Sequence, residues 1–339
     1  MKFDVIIATY NRPKRAIALI KQILKCSNSP NKIILVDSSD DINIEATQIK
    51  EVVYVRSSHK NQPYQRLLGA KASNSDIVVF FDDDLTITTP DIFNILLASY
   101  NDPKVVGSTV GIDYHSSIQD NFDAPVMNQQ TLFAKFIGFL SGVPSPVSGK
   151  AGRLGVVGGR PIKSQDIDFF YGPCMSFRRD IIDLIIPYDL LSLFEQKLGM
   201  GEDKVISMLA TQHGSLFYNA VICLSHPPNE STYYLNQYKF SKKVIYSRLY
   251  LSKIYAQINR RSLWFEKLVF YYFSLWRILL ASLSCLMRPS RLRLKKLHGF
   301  VSGLLLAIKL PQKTKCLTPT INWKSEIQKD LQRAGCIGT

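Results

Sequence analysis

The sequence predicts an α/β protein: a mostly parallel sheet flanked by helices over residues 1–236, followed by a basic helical region over residues 237–339. Three observations predict this. Four short β-branched and aromatic runs alternate with helical stretches across the first 81 residues, which is the pattern of a parallel, doubly wound sheet. Polar residues cluster just past each run, where such a sheet binds its ligand. The charge is also divided, with 20 Lys and Arg against 3 Asp and Glu after residue 236, and 22 against 24 before it.

The runs Phe3–Ala8, Lys32–Val36, Val52–Val55 and Asp76–Phe81 read as buried strands. Between the first two, Pro13 stands where a helix can begin, and Ala16, Leu19, Ile20, Ile23 and Leu24 recur on one helical face. Helical stretches over Asp41–Lys50 and Tyr64–Ser73 fill the other two gaps. Phe136–Lys163 is rich in Gly, Pro and Ser and reads either as an active-site flap or as a disordered insertion. Further on, Phe170–Arg179 reads as a strand entering the core, Lys204–Gln212 as a helix, and Leu216–Leu224 as a short strand ahead of His226.

With 46% hydrophobic and 20% charged residues in a chain of 339, the composition excludes a disordered tail, a collagen-like fibre and a small disulfide scaffold. The six Cys, Cys316 among them, contain no C-x-x-C pair and read as reduced packing residues. Met1–Ala8 lacks the long apolar run of a secretory signal, so the chain is expected to stay in the cytoplasm. A near-neutral body with a strongly basic tail points to chemistry in the body and a polyanion at the tail.

No glycine-rich phosphate loop is present: Gly155–Gly159 lacks the dinucleotide spacing and Gly149-Lys150 lacks the rest of a P-loop. Any phosphate must therefore be held by side chains and a metal. Asp82, Asp83 and Asp84, three consecutive carboxylates after a buried strand, repel one another unless a cation, or a bound Lys or Arg, neutralises them. Mg²⁺ or Mn²⁺ fits, since either is held by one or two carboxylates with phosphate and water completing the shell. An EF-hand does not fit, because Leu85 and Thr86 stand where further ligands should follow. A solvated loop whose Asp caps a helix near Pro90 would use the same residues.

The segments Ala8-Thr9-Tyr10-Asn11-Arg12, Val36-Asp37-Ser38-Ser39 and Phe80-Phe81-Asp82-Asp83-Asp84, with Gly172–Arg179, Gly199–Asp203 and His226, together resemble the inverting glycosyltransferase family 2 and its GT-A fold. The resemblance implies a nucleotide-sugar donor, a UDP- or dTDP-sugar, held by Thr9, Asn11, Arg12, Asp37, Arg66, Asp82 and Asp83. It implies Asp84 and His226 as ligands of Mn²⁺ or Mg²⁺. It also implies Asp203 as general base, with Glu202 orienting the acceptor or raising the pKa of Asp203. The family's Val-Asp-Asp-Gly-Ser turn is Val36-Asp37-Ser38-Ser39-Asp40 here, and Arg66 lacks the Asn that often follows it. Without the motif, Glu202 and Asp203 would equally suit the first turn of a helix.

Residues 268–287 are long enough to span a bilayer, interrupted by Arg277 and flanked on both sides by basic residues. Ser274, Arg277, Ala281, Ser284 and Arg288 form a small-polar stripe, which favours a helix lying in the interface of an anionic membrane. Two helices completing a soluble core is the alternative. Leu297–Leu310, with Gly299 and Gly303, is too short to span comfortably. Nucleic acid is disfavoured because no recognition module is present. The expectation is a transferase at the inner face of the cell membrane, acting on a saccharide or lipid-linked saccharide acceptor in bacterial surface-polysaccharide synthesis; the alternatives are a sugar-nucleotide nucleotidyltransferase, which should carry a Gly-rich loop that Thr9–Pro13 lacks, and a non-catalytic membrane- or nucleic-acid-binding protein on a transferase-like scaffold.

Overall fold

A computed structural model describes residues 1–114, 140, 143–144, 146–226, 236–309 and 321–336. Cys316 and the opening of the 136–163 segment fall outside the described residues. The elements run β1 (Phe3–Thr9), α1 (Pro13–Ile23), β2 (Lys32–Asp37), α2 (Ile44–Thr47), β3 (Val52–Arg56), α3 (Gln62–Ala72), β4 (Ile77–Asp82), β5 (Thr86–Ile87), α4 (Ile92–Ala98) and β6 (Val105–Tyr114). They continue with β7 (Gln165–Ile167), β8 (Cys174–Arg178), α5 (Ile182–Ile185), α6 (Tyr188–Glu195), α7 (Glu202–Ala210) and β9 (Ser215–His226). The C-terminal helices are α8 (Gln237–Ile258), α9 (Leu263–Met287), α10 (Arg291–Lys309) and α11 (Trp323–Arg333).

Among the described residues the strands form one sheet of order β3-β2-β1-β4-β8-β6-β9-β5, with β7 added beside β9. The four N-terminal strands are parallel. β8 slots between β4 and β6 and runs antiparallel to both, while β6 and β9 are parallel. This mixed, mostly parallel sheet with helices on both faces, plus the helical C-terminal region, is the expected α/β, GT-A-like class.

The period-two alternation of strand side chains builds a core on each face. Val5, Ile7, Ile33, Leu35, Val79 and Phe81 pack with Ile17, Leu19, Ile20 and Ile23 of α1 and with Phe93 of α4. Their neighbours Ile6, Ile34, Val36, Val78 and Phe80 face the other way, against Leu67 and Leu68 of α3 and onward to α6, α7 and α8. Helix α3 crosses the sheet closely: a Cβ on Gly69 would stand 2.4 Å from Cγ2 of Ile6.

Helix α10 seats both of its glycines on α8, where a Cβ at Gly299 would lie 2.5 Å from the Tyr238 carbonyl and one at Gly303 2.8 Å from that of Lys242. Helix α11 returns to the first half of the fold. Buried Asp330 accepts from the Ser58 amide (2.9 Å), the Ser58 hydroxyl (2.8 Å) and the Tyr64 hydroxyl (2.9 Å), and Trp323 donates to Ser192 (2.9 Å).

Helix α9 is packed on one side only. Glu266, Val269, Phe270, Phe273 and Ser274 are buried, while Trp264, Leu268, Tyr272, Leu275, Leu279, Leu283 and Leu286, at steps of three and four, are exposed. By length and composition α9 could cross a membrane.

Candidate active site

In-register parallel pairing aligns Thr9 with Asp37 and Ala8 with Asp82. The ends of β1, β2 and β4 therefore open at one edge of the sheet, where doubly wound folds bind ligands. A cleft of about 250 Å³ lies there, lined by Thr9, Tyr10, Arg12, Gln62, Gln65 and the three Asp residues. No helix begins at the triplet: α4 starts at Ile92, and its neighbour Asp91 makes no side-chain cap.

The three carboxylates have separate environments. Thr9 donates its hydroxyl to Asp83 (2.7 Å), and Arg12 Nη1 lies 3.0 Å from Asp83 and 3.1 Å from Asp84. Arg15 stands 3.8 Å from Asp84. Burial pushes Asp83 up to about 6 against the pull of Thr9 and Arg12. At Asp84 burial also raises the pKa, but His226, Arg12 and Arg15 outweigh it and the net shift is downward. Asp82 is raised, burial prevailing over Arg66.

His226 reaches Asp84 through strand pairing. Two residues past the triplet, β5 joins the end of β9 with Thr86 opposite Ser225, which brings His226 Nε2 to 3.4 Å from Asp84 Oδ1. On the other side of β9, Tyr114 is the register partner of His226, and their rings stack at 5.4 Å and 21°. Among the described residues no group of three or more His, Cys, Asp or Glu converges on one point. One carboxylate and one imidazole nonetheless suit a hard divalent ion that takes its other ligands from phosphate and water.

The Glu-Asp pair arrives on α7. Gly201, with φ of +78°, turns the chain into the helix, a left-handed conformation that only glycine adopts without cost. Asp203 Oδ2 accepts from the amide of Gly172 (3.1 Å). Ser207 joins the same two segments, donating to the Asp203 carbonyl (2.6 Å) and accepting from the Phe170 amide (2.9 Å).

Arg66, expected beside the diphosphate, is buried: its side chain is 1% exposed. It donates to Asp82 (2.9 Å), Glu202 (3.2 Å) and the Gly172 carbonyl (3.0 Å), so one buried guanidinium ties the β4 edge to the start of α7. Glu202 is thereby committed to Arg66; burial pushes it up to about 7, with Arg66 pulling down and Asp203 pushing up.

At the far side of the edge, Asp37 accepts from the Tyr54 hydroxyl (2.7 Å) and the Ser39 amide (2.8 Å). Asn11, with φ of +52°, exchanges hydrogen bonds with Asp40, donating to its carboxylate (2.8 Å) and accepting from its amide (3.0 Å). Lys60 then spans Asp40 (2.7 Å) and Tyr10 (3.0 Å). These contacts fix the turns that follow β1 and β2.

Several residues in this site carry no sequence motif. Gln62 donates to Asp82 (2.9 Å), and Gln65 donates to the carbonyls of Thr9 and Val36 (2.9 Å each). Their position one turn apart at the start of α3, beside Arg66, was the available signal. Arg15 and Tyr114 became visible only through packing.

The family model described as glycosyl transferase family 2 matches residues 4–185. No curated protein matches the chain. Two solved structures are similar to it. S. aureus TarS 1-349 has 13% identity and a TM-score of 0.50, covering 98% of this chain and 90% of that one. The mannosyltransferase PcManGT from Pyrobaculum calidifontis, in complex with GDP-Man and Mn²⁺, has 13% identity and a TM-score of 0.46, covering 98% and 86%. At such identity the likeness to TarS speaks for the fold alone. The family match spans more than half of the 339 residues, β1 through α5, and includes the acidic edge of the cleft. The chain thus belongs to glycosyl transferase family 2, enzymes that transfer a sugar from a nucleotide-sugar donor.

Proposed function

We propose that the protein is a metal-dependent inverting glycosyltransferase whose donor lies across the ends of β1, β2 and β4 and whose acceptor approaches from α7. The observation that carries this reading is the Arg66 bridge, which fixes Asp82 and Glu202 to one guanidinium and so holds the donor edge and Asp203 in one rigid unit. Thr9, Asn11, Arg12 and Asp37 surround the nucleotide, with UDP or dTDP as its nucleoside diphosphate. Asp82 and Asp83 border the ribose and diphosphate, and Asp84 with His226 would hold Mn²⁺ or Mg²⁺. Bound there, the ion would neutralise charge developing on the departing diphosphate.

In this reading Asp203 takes the proton of the attacking acceptor hydroxyl as it displaces the diphosphate from the anomeric carbon in a single in-line step. The Gly172 amide steadies the carboxylate that does so. Arg12 and Arg15, paired with the acidic triplet, can turn toward phosphate oxygens once a divalent ion takes over Asp84.

The acceptor we assign is a saccharide, lipid-linked, used in building a bacterial surface polysaccharide, with the protein peripheral to the inner face of the cell membrane. Residues 1–236 then serve catalysis and 237–339 serve attachment. Support comes from α9. Arg277, the one charge in its centre, turns toward the rings of Phe273 and Phe300 (5.6 and 5.8 Å), leaving the exposed stripe from Trp264 to Leu286 wholly uncharged. A helix packed along one side offers lipid its other side only, and Lys267, Arg288, Arg291, Arg293, Lys295 and Lys296 flank it for anionic headgroups.

The deciding experiment measures nucleoside diphosphate binding with and without Mn²⁺. Binding should tighten with the metal in the wild type and lose that enhancement in Asp84→Ala. Asp203→Asn should bind donor normally and transfer about 100-fold or more slowly. Normal turnover in Asp203→Asn would remove it from the base role.

A further inference from the structure

Arg160 lies between β6 and β7 in a segment without repeating pattern, and it folds back over the carboxyl edge of the sheet. Its Nη1 donates to the Ile112 carbonyl of β6. The guanidinium lies 4.3 Å from the ring centroid of Tyr114 and 4.9 Å from that of Tyr171. Among the described residues its Nε and Nη2 are shielded from water and meet no acceptor in hydrogen-bond geometry. Donors of a buried cation left unpaired keep the full penalty of losing water, so a group held this way is poised for an acceptor from outside the chain.

The two rings place that cation between the ends of the site. Tyr114 stacks on His226, which in turn faces Asp84. Tyr171 adjoins Gly172, whose amide holds Asp203. The two rings flank the guanidinium, and the shielding of its Nε and Nη2 from water strengthens any charge-assisted hydrogen bond that Arg160 makes. A planar fork of N–H donors suits a phosphate, which can accept two of them side by side.

We infer that Arg160, framed by Tyr114 and Tyr171, binds a phosphate oxyanion of a substrate during transfer. The inference rests on the transferase reading, in which Asp84 and Asp203 mark the two ends of the site. Two phosphates can present this chemistry: the donor's diphosphate, and a phosphate linking the acceptor to its lipid.

The test is calorimetry on the full chain in MnCl₂, with UDP, dTDP and GDP as donor-side probes and farnesyl phosphate as the acceptor-side probe. Arg160→Gln should weaken one class by about tenfold or more, and raising the salt should narrow the gap. Arg160→Lys keeps the charge without the fork, so it should recover part of the loss; it supplies the same comparison if Arg160→Gln melts early. Weakening confined to the nucleotides identifies the donor diphosphate, and weakening confined to farnesyl phosphate identifies the acceptor's phosphate. If both variants fold and bind every probe as the wild type does, or the wild type binds none, the inference is overturned. Asp84→Ala separates it from the transferase reading. Loss of Mn²⁺ enhancement there with no effect of Arg160→Gln overturns only the Arg160 site, whereas the reverse pattern supports Arg160 and removes the metal assignment.

Discussion

Replacing Arg66 with Met tests whether the two ends of the site stand as one unit. Met preserves the aliphatic bulk but deletes a cation that contacts Asp82 at 2.9 Å, Glu202 at 3.2 Å and the Gly172 carbonyl at 3.0 Å. Removing one partner of a buried pair costs about 3–5 kcal/mol, because a charge is left without compensation. Glu202 can escape part of that by taking up a proton, since burial already pushes it up to about 7. The lower end, about 3 kcal/mol, is therefore expected at pH 6, and a larger loss at pH 8.5 where Glu202 must ionise. Against a total stability of about 5–15 kcal/mol this is a large fraction, readable as a fall in the urea midpoint at unchanged slope. Adding Glu202→Gln to Arg66→Met should return part of the loss, with a coupling of about 1–3 kcal/mol in the double-mutant cycle. Equal urea midpoints for Arg66→Met and wild type at both pH values would refute the strut.

Glu202 also sets a pH dependence by itself. Its folded pKa of about 7 lies above the ordinary value near 4.3, so the folded state takes up a proton that the unfolded chain has released. The stability this contributes is complete below about pH 4.3 and is lost as the pH rises to about 7; Glu202→Gln should flatten that part of the melting-temperature profile. On α9, Leu275→Glu with Leu279→Glu should release the protein from phosphatidylglycerol vesicles in a sedimentation assay without changing its melting temperature, whereas equal binding would exclude the exposed stripe as the contact. Gly303→Val should lower the urea midpoint by about 1–3 kcal/mol equivalent through overpacking against α8, since even a Cβ there meets the Lys242 carbonyl at 2.8 Å.

The strand ends of the first half were legible to within a residue, because each is a buried apolar run closed by a polar side chain that the fold places at one edge. Helix α3 was found too, although it starts at Gln62 rather than Tyr64, where Asn61 caps it by accepting from the Tyr64 amide. The expected helix over Asp41–Lys50 shrinks to Ile44–Thr47, a stretch with no apolar stripe to bury. The antiparallel insertion of β8 between β4 and β6 had no local signal, since pairing partners are decided by packing across the sheet. Charge was readable at Arg66, but depth was not: whether a cation meets solvent, substrate or a buried carboxylate depends on what covers it. The approach of His226 to Asp84 depends on β5 meeting β9, a two-residue pairing that sequence pattern does not show. Arg160 sits among glycines and a proline with nothing nearby to mark it, and its surroundings come from three separate strands and loops.

The docking of α11 bears on how the chain matures. Tyr64, at the head of the helix that carries Gln65 and Arg66, receives its hydrogen-bond acceptor from Asp330, 266 residues downstream. During synthesis this corner emerges early with a polar hydroxyl and the Ser58 amide awaiting a carboxylate that does not yet exist. Nascent chains should therefore stay protease-sensitive at residues 57–64 until the ribosome has released α11, and ribosome-stalled intermediates of increasing length would reveal that late closure as a step in protection.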